Sequence, residues 1–413
     1  MTEKNNSAAH FALTRAACYI GIMVQAITIN FAPMLFVTFM GDFGFSVGQV
    51  SALITLTFIV QFVIDFLCVF IVGRISYRAL SCTAHVFAFC GLVMMTFLPY
   101  VMSPFAGICL SILVYSAGSG LIEVIVSPIV ESCPSKNKAA EMSLLHSFYC
   151  WGQTATVILS TVYFFAVGLD SWRVLSLAWA VVPLVNFFLF LFCPMNTSEQ
   201  TEKSMRMRSL FSSCDFILLL AVILCAGAAE LAVSQWASAY CETALGVTKA
   251  VGDLAGPMAF AVCMGIARVG YSIFGHRIRL ERYMLASGIL CAAGYLVISF
   301  SPFAWMGLAG FGICGLSVGV LWPGALSLAA KHVDGGGTMF AMLSFAGDAG
   351  CTLGPLIAGV FASYADGDIG YGISCATVFP LILCVAVAVL IFRFGRKTKK
   401  TSGSTLTRHS TSK

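Results

Sequence analysis

Asp65, Glu123, Glu230, Arg268 and Asp348 are charged side chains set inside long apolar runs. A charge is costly in hydrocarbon, so an ionisable group there faces a partner or a wet cavity. Carboxyls in such places can take up and release a proton, which is the chemistry these residues suggest. Glu123 is the first candidate for proton or substrate binding. Gly118 and Gly120 precede it and let a neighbour approach, and Pro128 follows Ser127 and frees a backbone carbonyl. The alternative for Glu123 is a structural hydrogen bond to another helix. Arg268 and Asp348 both fall about 10 to 14 Å from the same end of their helices at 1.5 Å rise per residue. They are expected to pair as a structural or gating salt bridge, with substrate contact by Arg268 the lesser option. Asp65 lies at similar depth and reads equally as a gate or as a satisfied interhelical polar group.

A second set has the chemistry of a binding surface. Glu230, Trp236 and Tyr240, spaced by six and four, suggest an acid–indole–phenol stripe on one helix, with Gln235 to one side. Gln25 and Asn30 with Pro33, then Trp151 and Gln153, then Trp322, add amides and flat rings on other runs. Amides plus aromatics suit a neutral polyhydroxylated ligand, whose hydroxyls need donors and acceptors and whose C–H faces stack. For each residue taken singly, packing is the competing explanation, and an interfacial aromatic belt competes for Tyr240. His146 is expected at headgroup level in a structural role, and His85 has no partner visible in the sequence.

These residues need elements that carry them through lipid. Of the 413 residues 59% are apolar and only 10% charged, against about 25% charged in a soluble domain. A spanning helix takes about 20 apolar residues. Twelve segments qualify: 15–40, 47–72, 80–98, 104–130, 142–166, 172–193, 213–241, 250–275, 282–300, 303–330, 339–364 and 370–393. The expected organisation is a six-helix unit over 1–193, a polar linker over 194–212, a second six-helix unit over 213–394 and a basic, irregular tail over 395–413. The first run is expected to be an uncleaved helix, because no cleavage-like site follows it. The 17 cysteines are scattered singly without a C-x-x-C, so neither a disulfide framework nor a metal site is expected, and no cofactor is implied.

The charges orient the spans. Of the 23 lysines and arginines, only Arg173 and Lys249 fall on breaks of one face, and Arg268 lies within a span. All the others fall on the opposite face, with both termini and the linker. The positive-inside rule makes that face cytoplasmic. It also accounts for the net charge of +5 without a nucleic-acid partner. The basic run Arg393–Lys400 reads as a lipid-headgroup anchor. The halves echo each other: Gly120 and Gly315 are separated by as many residues as Pro128 and Pro323, as a duplicated unit would leave.

Twelve helices in two halves resemble the major facilitator superfamily. Its usual signature after the second helix, G-x-x-x-D-R-x-G-R-R, survives only as Gly73-Arg74 and Arg78. The stretch from Gly118 and Gly120 through Glu123 to Ser127-Pro128 resembles, more specifically, the fucose:proton symporter group. So do Leu145-His146-Ser147-Phe148 with Gly152, and Glu230 with Trp236 and Tyr240. The resemblance implies an all-α membrane protein of two pseudo-symmetric six-helix bundles, acting as a monomer, with Glu123 as the protonatable group coupled to substrate. That group's sugar symporters also carry an acid in the first helix, where this chain has Gln25 and Asn30. Coupling would then rest on Glu123 alone, pass to Asp65 or Glu230, or be absent.

The expected function is secondary active transport of a small polar solute, sugar-like in preference, across the cytoplasmic (inner) membrane by alternating access with protons. A proton-driven exporter of drug-like, apolar or cationic compounds is the alternative. A sensor would need a soluble output domain and an enzyme a nucleophile cluster or an H-E-x-x-H set. Neither is in the sequence, so no catalytic residue is expected. Reporter fusions at Lys203 and after Lys413 should score on one face of the membrane, and fusions at Asp170 and Lys249 on the other. An odd number of crossings would refute the twelve-span reading.

Overall fold

In lipid every backbone polar group must be satisfied within the chain, so apolar runs of this length fold as helices. The computed structural model describes residues 11–45, 47–195, 207–237, 240–241, 254–300, 303–365 and 368–410. The helices are α1 (Ala12–Met34), α2 (Val47–Ile71), α3 (Tyr77–Val101), α4 (Pro104–Ser132), α5 (Lys138–Val167), α6 (Trp172–Phe192), α7 (Cys214–Ser234), α8 (Ala259–Phe274), α9 (Leu280–Phe300), α10 (Ala304–Val318), α11 (Gly336–Tyr364) and α12 (Val378–Ser410). Eleven helices among the described residues are long and apolar enough to cross a membrane. The twelfth, α2, has 25 residues, and its stretch Thr55–Ile71 is apolar.

The starts are set by local chemistry. Ser76, Asn137, Ser213 and Asp368 each accept a hydrogen bond from a first-turn backbone N–H, satisfying a donor the helix leaves open. Pro104 starts α4, where a missing N–H costs nothing. Several spans are interrupted. α1 breaks at Leu35 beyond Pro33 and resumes as Phe36–Phe43. A π-helical turn, Leu254–Met258, contains Pro257 and leads into α8. α10 breaks at Gly319 and Val320 and continues as Leu321–His332, and Ile369–Ala376 precedes α12. α12 itself is helical to Ser410, where the sequence suggested an irregular tail. Much of the linker, with Lys203 and Arg206, lies outside the described residues, as do Lys4 and Lys249.

α1–α6 pack as one bundle and α7–α12 as the other. Without a hydrophobic drive between helices in lipid, small residues let backbones come together. A Cβ added to Gly350 would lie 1.9 Å from the Leu224 carbonyl oxygen, and one on Gly354 2.2 Å from that of Ala228. α7 and α11 are thus in backbone contact. Within the first bundle, His85 Nδ1 bonds the Ser81 carbonyl at 2.7 Å, and Asn186 Nδ2 meets His85 Nε2 at 2.7 Å and the Ala17 carbonyl at 3.0 Å. A proton on Nδ1 suits both contacts of the His85 ring, and Asn186 ties α6 to α3 and α1. Arg78, the remnant of the expected signature, donates to the carbonyls of Phe190, Leu191 and Cys193 and caps α6.

The bundles meet at the end that carries the termini and the linker. There Ser143 Oγ on α5 donates to the Arg268 carbonyl on α8 at 2.8 Å. Gly337 at the start of α11 abuts Val72 and Tyr77. The opposite end is open. Gly350→Leu should lower the melting temperature of the purified protein, because overpacking a backbone contact costs on the order of 1–3 kcal/mol. Gly270→Ala, where nothing lies within 4 Å of the new methyl, should leave it unchanged or raise it slightly.

Candidate functional site

Between the bundles lies a cavity of about 1030 Å³. It opens past Pro33, Phe165 and Thr352, away from the end where the bundles meet. Gln25, Asn30, Glu123, Gln153, Glu230, Gln235, Arg268, Trp322 and Asp348 all line it. The structure therefore gathers these sequence candidates from seven helices and the turn after α7 into one space. Trp322 sits there because its indole lies on bare backbone: a Cβ at Gly347 would come within 2.1 Å of the ring, and one at Gly227 within 3.1 Å.

Glu123 accepts a hydrogen bond of 2.6 Å from Gln25 Nε2. The amide that stands where an acid was expected in the first helix thus serves Glu123 directly. The Asp348 carboxyl, from the other bundle, is within hydrogen-bonding reach of both Glu123 and Asp65. Two ionised carboxylates have no donor to offer each other, so each such contact needs a proton. Three carboxyls from α2, α4 and α11 form a chain whose electrostatics depend on how many protons it holds.

The expected Arg268–Asp348 pair is not formed. Arg268 instead lies 3.3 Å from Glu230. Its guanidinium also donates to the Gly319 carbonyl at 2.8 Å, to the His146 carbonyl at 2.8 Å and to Cys150 Sγ at 3.3 Å. The carbonyl of Gly319 is within reach because α10 breaks there. Depth along the helices was similar for Arg268 and Asp348, but pairing also depends on which way each helix turns its face.

Three expected binding residues lie elsewhere. Trp236 Nε1 donates to the Pro355 carbonyl at 3.1 Å, and its ring packs on Gly359. Tyr240 donates to the Ile298 carbonyl at 3.1 Å and meets Phe311 edge-on. Trp151 packs across the bundle interface against Gly265. The α7 stripe fails because the helix ends at Ser234 and Gln235–Trp236 form a turn. Even a regular helix would set Glu230 and Trp236 about 120° apart. Asp65 is fully buried and does not line the cavity.

Two lining residues lie deeper than expected or escaped attention. His146 faces the cavity and meets Ser127 Oγ at 3.2 Å, instead of sitting at headgroup level. The Tyr149 side chain meets that of Asn30. His146, Tyr149, Gln153 and Val157 follow one face of α5 at spacings of three and four, so a face drawn through Gln153 would have found them. No group of metal-ligating side chains occurs among the described residues.

Comparison with known proteins agrees with this architecture. The chain is 24% identical over 283 residues to "Membrane protein MosC" of Rhizobium meliloti, covering 68% of this chain and 67% of that protein. The fold superposes on a Major Facilitator Superfamily transporter, FucP, in the outward conformation, with a TM-score of 0.78 at 15% identity over 92% of this chain and 99% of that one. It also superposes on the proton:xylose symporter XylE, with a TM-score of 0.76 at 12% identity over 92% and 95% of the two chains. The human organic anion transporter MFSD10 is similar at a TM-score of 0.69 and 14% identity, over 91% of this chain and 99% of that one. The family model of the Major Facilitator Superfamily matches residues 18–355. Twelve spans in two bundles around a central cavity, together with that match over most of the sequence, place this chain in the Major Facilitator Superfamily of transporters.

Proposed function

We propose that the protein couples protons to the movement of a small, neutral polar solute across the cytoplasmic membrane, with a sugar-like molecule the favoured class. The observation that carries this reading is the lining of the cavity. The amides Gln25, Asn30, Gln153 and Gln235, the phenol Tyr149 and the indole Trp322 face the same space as Glu123. Such groups supply donors, acceptors and a flat stacking face to a polyhydroxylated molecule. An anionic solute is disfavoured, because the guanidinium of Arg268 is engaged by Glu230 and the other charged lining groups are acidic. The distribution of lysine and arginine supports a cytoplasmic linker and cytoplasmic termini.

Glu123 is the coupling group in this mechanism. Ionised, it holds the Gln25 amide with a charge-assisted hydrogen bond, about twice as strong as a neutral one. Protonation weakens that hold and releases the amide to bind solute. Solute and proton then favour the same rearrangement, the rocking of one bundle against the other. The carboxyls of Glu123, Glu230 and Asp348 outnumber the single arginine among the lining groups, which favours export of cationic compounds as a second reading.

Reconstituted protein should respond to the right neutral solute with inward proton flux. Glu123→Gln should abolish that flux while leaving solute counterflow intact. Proton flux that survives Glu123→Gln would overturn the coupling role. Trp322→Ala should weaken solute binding by about tenfold through loss of the stacking face. Glu123-dependent dye efflux without uptake of any neutral solute would replace this reading by the second one.

A further inference from the structure

Asp65 presents a problem of satisfaction that the coupling role of Glu123 does not solve. The residue is 0% exposed, and neither carboxyl oxygen receives a hydrogen bond from an N–H or O–H of the described residues. Gln61, one turn back on α2, could reach towards it but gives its amide to Ser119 Oγ at 3.1 Å. The titratable groups facing Asp65 are Asp348 of α11, Glu123 of α4 and Cys68 one turn on along α2, while Cys351 of α11 feels the same charge. None of these is a base. An ionised Asp65 would have no donor among the described residues. A proton placed between Asp65 and Asp348 supplies the one donor the pair lacks, and it does so across the gap between the bundles.

We propose that Asp65 and Asp348 share one proton across the α2–α11 contact, and that this proton clamps the two bundles together at the end bearing the termini. As the bundles close, one carboxylate takes a proton from water and its O–H donates to the other carboxylate. As they part, the proton returns to water and both carboxylates are hydrated. The clamp lies within a continuous seam. Phe62, one turn before Asp65, and Phe66, next to it, meet Phe345 of α11, one turn before Asp348, at ring distances of 4.4 and 5.8 Å. Beyond them Gly337 fits against Val72 and Tyr77. Asp65 stands off the cavity whereas Glu123 and Asp348 line it; the clamping proton is assigned to the Asp65–Asp348 contact and the solute-linked proton to Glu123.

The sign follows from linkage. The closed form holds one proton more than the open form, so closure is favoured at low pH and lost as pH rises. One proton allows the open fraction to grow by at most about tenfold per pH unit. Hydrogen exchange of the full-length protein in lipid nanodiscs reads this directly, in peptides over 66–77 and 336–347, with rates corrected for intrinsic pH dependence. Between pH 6 and 9 the wild type should show corrected exchange rising with pH towards that limit. Asp65→Asn and Asp348→Asn each install a permanent amide donor and should hold both segments protected, with the slope gone. Asp348→Glu should keep the slope. Glu123→Gln should lose solute-driven proton flux yet keep it, which separates this clamp from the coupling reading. A flat wild-type profile would overturn the proposal, as would a slope that survives either asparagine variant or one that disappears in Glu123→Gln. If one asparagine variant fails to fold, the other and the wild-type profile decide.

Discussion

A carboxylate taken out of water must be met by a donor, a cation or a proton, and the centre of this protein has fewer donors than its acids need. Leaving such a group unmet is among the most expensive things a fold can do. The acids are sorted by what meets them. Glu230 has the guanidinium of Arg268. Glu123 has the amide of Gln25. Asp348 meets both Asp65 and Glu123, and neither aspartate has a basic neighbour among the described residues. In the proposed arrangement a mobile proton completes that pair and links the centre of the molecule to pH and to the state of the two bundles.

The packing explains why such a response can move whole bundles. Inside the second bundle, α7 and α11 touch through glycines with no room for a methyl group, so they travel together. Between bundles the contacts run chiefly along α5 with α8 and α2 with α11. They include the Ser143 hydroxyl on the Arg268 carbonyl, the Arg268 guanidinium on the His146 carbonyl, and Phe62 against Phe345. Arg268 is bonded to both bundles at once, to His146 and Cys150 on one side and to Gly319 and Glu230 on the other. Separation of the bundles must break part of that set, which couples the floor of the cavity to its closure.

The sequence made the spans legible, because lipid demands long apolar runs and leaves lysine and arginine on the breaks. Glu123, Gln25 and Trp322 were legible for the same reason: polar or flat groups with nothing to do in hydrocarbon. Partners were harder to read. Arg268 and Asp348 share a depth, yet rotation about each helix axis decides whom a side chain meets, and that rotation is set by packing. Trp236 and Tyr240 were misplaced because α7 ends at Ser234 without a Gly or Pro to announce it. Trp151 was counted with Gln153, although residues two apart on a helix point to nearly opposite sides. Tyr149, on the same face as Gln153, carried the signal that was missed.

Infrared difference spectroscopy of the protein in lipid, recorded as pH is raised from neutral, tests the central claim most directly. The carbonyl stretch of a protonated carboxylic acid is separate from that of a carboxylate, and substitution assigns it. Protonated carboxyl bands at neutral pH, lost on alkalinisation and absent from a variant carrying Asp65→Asn, Glu123→Gln and Asp348→Asn, are the expected result. A spectrum of the wild type with carboxylates alone at neutral pH would contradict it.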